Sequence, residues 1–363
     1  MPRNMFVRTL ILSLVLAAAP ALWASAAHAA TAKTLPIFEL DEGWPNKPAN
    51  MRFGDPSSIA LDAMDNAYVL TRPRVLDPAE GGPIAPPVTV FDPDGNYLAG
   101  WGGEGEGYEW PQREHGILID SKSFVWLGGN SCPTNGLPRL LPVADDQLLK
   151  FTRDGTFVMQ IGRSDQSGGN ADTGNLHRPA DAQYVEQSNE LFVADGYGNH
   201  RVIVFDAGSG AFKRMWGAFG NAPVDADSCE VVRYQDFSEP GRPQFSIVHS
   251  IRVASNGMVY VGDRENRRIQ KFDSEGNFIK QLTMGDASFA GAMAFSPDQQ
   301  LLYASFGEEI AVIDPEALEL IGTIRPPGLL GGGHHLQTDS RGNLYVALTG
   351  MGMQRLLFKG MSN

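Results

Sequence analysis

The chain has 363 residues, of which 42% are hydrophobic and 20% charged, a balance that excludes a largely disordered chain. Its 41 glycines and 24 prolines make up about 18% of the residues, against an average of about 12%, which indicates many turns and argues against a helical bundle. The net charge is −13 and no basic run lies beyond residues 1–8, which argues against nucleic acid as a partner.

Residues 1–29 have the three parts of an export signal. A basic start at residues 3–8 precedes an apolar stretch from 10 to about 23, and Ala27-His28-Ala29 forms a small-residue cleavage site. The apolar stretch is shorter than the roughly 20 residues that cross a membrane. We therefore expect cleavage after residue 29, a periplasmic or extracellular location, and no membrane contact after cleavage.

Residues 30–363 are predicted to form a single domain built from six copies of one unit. In chain order the copies cover 57–103, 115–162, 180–217, 249–282, 291–325 and 334–360. The third and fourth copies are the clearest, since both contain Asp-x-x-(x)-Asn-x-Arg-(Val/Ile)-x-x-Phe-Asp. Similar units that recur along a chain at the spacing of these six ranges are typical of repeat folds.

Each copy is predicted to contain four short strands, because Val, Ile, Leu, Phe and Tyr alternate with polar residues around Asp-Gly or Glu-Gly turns. No window has a sustained 3.6-residue apolar period. Six such units predict an all-β fold, a six-bladed β-propeller. The last copy has only three strands, so we expect residues 35–41 to supply the fourth and close the ring. A β-sandwich is the alternative, but it gives no reason for six similar units.

Four long inserts interrupt the repeats at 74–87, 128–145, 163–175 and 221–244. Loops of this length are often functional, and we expect them on the faces of the propeller. The two cysteines outside the signal, Cys132 and Cys229, lie in two of these inserts. In an exported protein they are predicted to form a disulfide, with two free thiols as the alternative.

Histidine recurs in a fixed register of the repeats. The residues that precede the first apolar pair of each first strand are, in chain order, Ser57, His115, Ala180, His249, Gly291 and His334. Because first strands line the channel of a propeller, histidines in alternate blades would converge from three sides. Three histidines with one open position form a catalytic zinc arrangement, although imidazole also suits copper, iron or nickel. The alternative is that each histidine only bonds neighbouring backbone.

Several segments also carry a resemblance to a known family. They are EHGILID (114–120), HRPADA (177–182), VADGYGNHR (193–201), the run 245–269 and GGHHLQTDSRGNLYV (332–346). Over about residues 50–358 the chain resembles the NHL-repeat propellers and, among them, the peptidyl-α-hydroxyglycine α-amidating lyases. That family cleaves a peptidyl-α-hydroxyglycine, an N-acyl hemiaminal, into a peptide amide and glyoxylate.

The resemblance implies roles for six residues. It implies a Zn²⁺ site at His115, His249 and His334, an active-site tyrosine at Tyr197, and substrate-contacting arginines at Arg264 and Arg72. It also implies a structural calcium, tied to an aspartate directly after the third zinc ligand. Here that position is His335, a poor ligand for a hard cation, so the resemblance does not carry the calcium over.

The function predicted is an exported zinc lyase acting on a small-molecule or peptide substrate. Two alternatives stay open at this point. One is a propeller hydrolase of the gluconolactonase type, which usually places carboxylates and asparagine around calcium. The other is a non-catalytic NHL propeller that binds a protein partner on one of its faces.

Overall fold

A computed structural model describes residues 1, 34–134, 136–225, 240–285, 288–289 and 291–362. The chain divides into residues 1–33 and residues 34–363, and every element below lies in the second unit. The predicted export signal therefore lies outside the described residues, apart from Met1. In the described ranges no helix has the length and apolar character to span a membrane.

Within the described residues the chain forms 24 strands and three short 3₁₀ turns. The strands are β1 Pro36–Leu40, β2 Asp55–Leu61, β3 Ala67–Arg72, β4 Val88–Phe91, β5 Tyr97–Trp101, β6 Glu114–Ile119, β7 Phe124–Gly129, β8 Gln147–Thr152, β9 Phe157–Gly162, β10 Asp181–Val185, β11 Glu190–Asp195, β12 Arg201–Asp206, β13 Phe212–Trp216, β14 Val248–Val253, β15 Val259–Asp263, β16 Arg268–Phe272, β17 Phe278–Thr283, β18 Met293–Phe295, β19 Leu302–Phe306, β20 Glu309–Asp314, β21 Glu319–Ile324, β22 His335–Thr338, β23 Leu344–Leu348 and β24 Gly352–Met361. The 3₁₀ turns cover Pro73–Val75, Pro78–Glu80 and Ala218–Gly220.

The strands form six four-stranded antiparallel sheets, which are the blades of a propeller. Blades one to five take consecutive strands, from β2-β3-β4-β5 to β18-β19-β20-β21, and blade six has the order β1-β24-β23-β22. This confirms the predicted six-bladed propeller and its very low helix content. The central strands of each blade are buried, and the apolar core lies between successive blades.

The N-terminal strand closes the ring, as predicted. β1 pairs antiparallel with β24, and Phe38 lies opposite Phe358. Phe38 is 5% exposed and packs against Tyr303 of the preceding blade at a ring-centroid distance of 5.9 Å. Its neighbour Ile37 points to solvent and is 46% exposed. The period-2 alternation of a strand thus turns one face of β1 to the core.

This packing predicts the effect of two neighbouring substitutions. Phe38→Ala should lower the free energy of unfolding by about 3–5 kcal/mol, the usual cost of emptying a buried aromatic site. Ile37→Ala on the same strand should change it by less than about 0.5 kcal/mol, because that side chain is largely exposed. Urea unfolding of both variants measures the difference, and equal midpoints would contradict closure by β1.

The antiparallel order sends all four long inserts to one face. The first strand of each blade begins on this face, so the loops after the second and the fourth strands lie there. The inserts follow β3, β7, β9 and β13, and the prediction that they are loops is confirmed where they are described. The opposite face carries short hairpins such as the one at Gly95, whose φ of +91° suits a residue without a side chain.

Cys132 lies in the insert after β7 and is disulfide-bonded. Among the described residues there is no free cysteine. Its predicted partner, Cys229, lies outside the described residues, so the pairing between the two stays a prediction.

Candidate metal centre

The three histidines of the repeat register converge where the first strands of alternate blades begin. The centroids of the His115 and His249 rings are 4.9 Å apart, and each lies 4.8 Å from the centroid of the His334 ring. One nitrogen of each ring lies within 4.8 Å of the others, a group that could hold a metal ion. In the described part of the chain this is the only group of three His, Cys, Asp or Glu with that property.

Backbone carbonyl groups of the neighbouring blades orient two of the rings. The Nδ1 atom of His115 lies 2.8 Å from the carbonyl oxygen of Ala180, and Nδ1 of His334 lies 2.8 Å from that of Ser57. A carbonyl oxygen only accepts, so each Nδ1 carries the hydrogen and each Nε2 keeps a free lone pair. Ser57 and Ala180 are two of the small residues that align with the histidines. The alternation of small residues with histidine therefore provides acceptors for the rings of His115 and His334.

His249 has two buried ring nitrogens without a hydrogen-bond partner among the described residues. Its side chain is enclosed, with the whole residue only 3% exposed. A Cβ at Gly291, the third aligned small residue, would lie 2.6 Å from the Cβ of His249, so glycine makes room for the ring. Buried polar atoms in native proteins are almost always satisfied, and a bound cation would satisfy one of these nitrogens.

Burial keeps the three imidazoles neutral. It lowers the pKa of His115 and His249 well below the usual value, and the neighbouring His334 lowers both further. Burial, reinforced by the charge of Arg72, lowers the pKa of His334 to about 3. Neutral imidazole is the form that binds metals, so the residues present fit zinc, copper, iron or nickel. The choice of zinc stays a prediction.

Tyr197 and Arg264 form a hydrogen-bonded chain that ends on the triad. The Tyr197 hydroxyl lies 2.9 Å from Nε2 of His115 and accepts a hydrogen bond of 2.9 Å from Nη1 of Arg264. Because Nε2 of His115 is the acceptor, the phenol hydrogen points to the histidine. The Arg264 guanidinium also pairs with Glu265 at 2.9 Å. The structure thus brings both predicted residues to the centre.

The repeated Asp-Asn-Arg motif holds the two loops that carry them. In each loop the aspartate accepts hydrogen bonds of 2.7–2.9 Å from the asparagine amide and from the arginine Nε. The motifs are Asp195, Asn199 and Arg201 in blade three, and Asp263, Asn266 and Arg268 in blade four. All six residues are buried. Tyr197 lies inside the first motif and Arg264 inside the second, so the structural repeat positions both side chains.

Two residues that the sequence analysis does not single out shape the same loops. Arg178 and Ile247 have φ values of +61° and +60°, which are uncommon outside glycine and rare for a β-branched residue. The Arg178 carbonyl accepts from the Tyr197 amide at 3.3 Å, and the Ile247 carbonyl accepts from the Arg264 amide at 3.0 Å. The Arg178 guanidinium also donates to the Tyr197 carbonyl. Backbone strain of this kind concentrates at functional sites.

Arg72 ends β3 in blade one, whereas Arg264 follows β15 in blade four. It is 4% exposed, and its Nε donates a 2.8 Å hydrogen bond to the carbonyl oxygen of Glu114, the residue before His115. Its Nη1 lies 3.5 Å from the carboxylate of Asp55. The low pKa of His115 has burial as its largest cause and the neighbouring His334 as its second. The charge of Arg72 is the third cause. Together with Arg264 it places two cations around the centre, which would attract an anionic substrate.

His335 points away from the triad, as expected for the next residue along a strand. Its Nε2 lies 3.7 Å from Oδ1 of Asp181 and 3.3 Å from Nη2 of Arg252. Nη1 of Arg252 lies 2.5 Å from Oδ2 of Asp181. Burial alone would raise the pKa of Asp181, but the neighbouring Arg252 and His335 together outweigh burial and hold the pKa below its ordinary value. The carboxylate is thus already neutralised by a guanidinium.

This cluster does not fit the calcium ion that the family resemblance implies. Calcium takes six to eight oxygen ligands, whereas the carboxylate here is committed to Arg252 and a histidine replaces the family aspartate. We expect added calcium to leave the melting temperature of the purified protein unchanged. Zinc added to metal-free protein is the control and should raise it. A bound calcium would instead stabilise the fold by about 2.7 kcal/mol at a hundredfold excess over its Kd.

No protein-family model matches the chain. Over 261 residues, or 68% of its length, the chain is 30% identical to peptidyl-glycine alpha-amidating monooxygenase A of Xenopus laevis. Its homologues include amidating monooxygenases, an amidating lyase and NHL repeat proteins. The family resemblance predicted from the sequence is thereby confirmed.

Two further relatives give the range of these similarities. NHL repeat-containing protein 3 of Mus musculus is 25% identical over 278 residues, which cover 74% of this chain and 66% of that one. A probable peptidyl-alpha-hydroxyglycine alpha-amidating lyase of Caenorhabditis elegans is 27% identical over 163 residues, or 44% of this chain and 37% of that one. The chain spans only 24% of the Xenopus monooxygenase. Among solved structures, the WD40 β-propeller domain of Doa1 aligns with a TM-score of 0.49 and 13% identity, over 85% of this chain and 93% of that one.

Proposed function

We propose that the chain is an exported zinc-dependent lyase that splits an N-acyl-α-hydroxyglycine into an amide and glyoxylate. One observation carries the proposal. Three neutral imidazoles surround one point, and the hydroxyl of Tyr197, held by Arg264, faces the same point. The lyase and monooxygenase names of the homologues support the choice of substrate class.

The reaction needs no oxidant or co-substrate. The bond between the α-carbon and the amide nitrogen breaks, and the hydroxyl oxygen forms the carbonyl of glyoxylate. The hydroxyl proton leaves and the departing nitrogen gains one proton, so atoms and charge balance. The site must therefore hold a carboxylate, remove one proton from oxygen and supply one to nitrogen.

His115, His249 and His334 would hold the zinc ion through ring nitrogens, with Nε2 as the nitrogen without a hydrogen in His115 and His334. When bound there, zinc supplies Lewis-acid chemistry at the substrate hydroxyl. Three protein ligands leave a position open for that group.

Tyr197 is the residue placed to move the proton. Arg264 donates to its hydroxyl oxygen, so the remaining phenol hydrogen is directed at Nε2 of His115. If that nitrogen binds a metal, it no longer accepts, and the phenol group turns to the substrate. Arg264 and Arg72 then act as the two cations that hold the substrate carboxylate.

Export is part of the proposal. Residues 1–29 have the pattern of a cleavable signal. The disulfide at Cys132 supports an oxidising compartment, where such bonds persist. Determination of the N-terminus of the protein recovered from outside the cytoplasm tests this part, and a start near residue 30 is expected.

Metal analysis followed by an activity assay separates the proposal from its alternatives. We expect about one zinc per chain and release of glyoxylate from α-hydroxyhippurate. A non-catalytic NHL propeller would show neither. A gluconolactonase-type enzyme would depend on calcium held by carboxylates, and the described residues contain no carboxylate cluster of that kind.

A further inference from the structure

Two of the long inserts meet beside Arg72 and enclose a pocket. One insert follows β3 and the other follows β7, and both lie on the face that carries the triad. The cavity measures about 210 Å³. Its apolar wall consists of Val75, Leu137, Pro138 and Leu140. Val75 and Leu137 are 55% and 41% exposed, which places apolar surface directly beside the candidate active site.

Glu114 gives the pocket a buried polar group. Its side chain is 1% exposed, and its Oε1 accepts from Trp110 at 2.9 Å and lies 3.3 Å from Nη1 of Arg74. Its Oε2 is buried and has no partner among the described residues. An oxygen that loses its hydrogen bonds to water when the chain folds, and gains no hydrogen-bond donor in the protein, destabilises the fold. An N–H group of a bound ligand is the missing donor that the pocket could receive.

Arg72 connects this pocket to the triad. It lines the pocket, and its Nε binds the carbonyl oxygen of Glu114, which directly precedes His115. Arg72 is thus shared by the pocket and by the proposed site of the substrate carboxylate, so a substrate whose carboxylate lies at Arg72 has the pocket beside it. The proposed mechanism uses the carboxylate end of the substrate and leaves the acyl end without a binding site.

We infer that the pocket binds the acyl end of the substrate and selects acyl groups that carry one bulky apolar side chain, aromatic or branched aliphatic. The inference rests on the proposed function, whose substrate class it narrows. A volume of about 210 Å³ is smaller than the roughly 300–1,000 Å³ of sites for drug-sized ligands, so it suits one side chain. Arg74, Arg113 and Arg139 also line the pocket and disfavour cationic side chains.

Two substrates test the selection. The zinc-loaded protein should have a kcat/KM for N-benzoyl-α-hydroxyglycine at least about tenfold above that for N-acetyl-α-hydroxyglycine. Leu137→Ser should lower the value for the benzoyl substrate about tenfold more than the value for the acetyl substrate. The control is Leu320→Ser on β21, where a leucine of similar exposure, 46%, lies far along the chain on an outer strand. It should leave both values unchanged.

Binding without turnover separates this inference from the proposed function. N-benzoylglycine and N-acetylglycine lack the hydroxyl group and cannot react, so calorimetry measures their binding alone. Tighter binding of N-benzoylglycine that is lost in Leu137→Ser supports the pocket, even if no α-hydroxyglycine releases glyoxylate and the proposed function fails. Equal binding of the two acids together with equal kcat/KM for the two substrates would overturn the inference and leave the lyase proposal intact.

Discussion

Replacing His249 with alanine is expected to strip the metal and abolish glyoxylate release. His249 contributes one of three converging rings, and both of its ring nitrogens are buried without hydrogen-bond partners among the described residues. The variant keeps only two imidazoles, too few for the three protein ligands of a catalytic zinc site. Metal analysis of the purified variant should find a small fraction of the roughly one zinc per chain expected for the parent protein, and turnover should fall to background.

His200→Ala is the matched control for this experiment. His200 lies on a loop outside the repeat register and is half-buried, so its loss should leave the zinc content unchanged. Circular dichroism shows whether each variant keeps the propeller. A folded His249→Ala protein that retains a full equivalent of zinc would contradict the assignment of the metal centre.

Replacing Tyr197 with phenylalanine is expected to keep the metal and slow turnover by roughly 10²–10⁴, the usual effect of losing a general acid or base. The substitution keeps the ring, which packs edge-on against His115 at a centroid distance of 4.8 Å. It removes only the hydroxyl that Arg264 orients. Single-turnover kinetics and zinc content measured on one preparation test both halves of the prediction.

Tyr184→Phe is the matched control, because its hydroxyl donates to Asn189 at 3.2 Å within blade three and takes no part in the centre. It should turn over like the parent protein. If Tyr197→Phe retained full turnover with zinc bound, Tyr197 would only support the loop structurally, and the proton would move through another group.

Much of the fold follows from local sequence signals. Alternation of apolar and polar residues and Asp-Gly turns are properties of a few adjacent residues, so they predict strands without knowledge of tertiary contacts. The closing strand follows from counting, since the last repeat lacks one strand and residues 35–41 have no other partner. β1 pairs with β24 as this reasoning requires.

The convergence of the triad was predictable for a related reason. In a six-bladed propeller, residues at equivalent positions of the first strands all point to the central channel. Histidines at that position in alternate blades therefore face one another across the channel. The short distances among His115, His249 and His334 agree with that geometry. The carbonyl acceptors of His115 and His334 belong to Ala180 and Ser57, and the sequence distinguishes these two positions only by their small side chains.

Other parts of the site depend on contacts that no local pattern records. The positive φ of Arg178 and Ile247 is imposed by the surrounding loops, and neither residue type favours it. Arg252 and Asp181, which are 71 residues apart in sequence, form an ion pair between the first strands of two blades. The pocket beside Arg72 forms between two inserts that lie outside the repeat, so repeat symmetry gives no information about it.

Anomalous diffraction at the zinc absorption edge, measured on crystals of the purified protein, locates its bound zinc directly. We expect one strong peak among His115, His249 and His334, with each ligating nitrogen about 2.0–2.1 Å from the ion. A zinc peak elsewhere in the propeller, or no zinc peak among these three rings, would show that the three histidines do not form the zinc site.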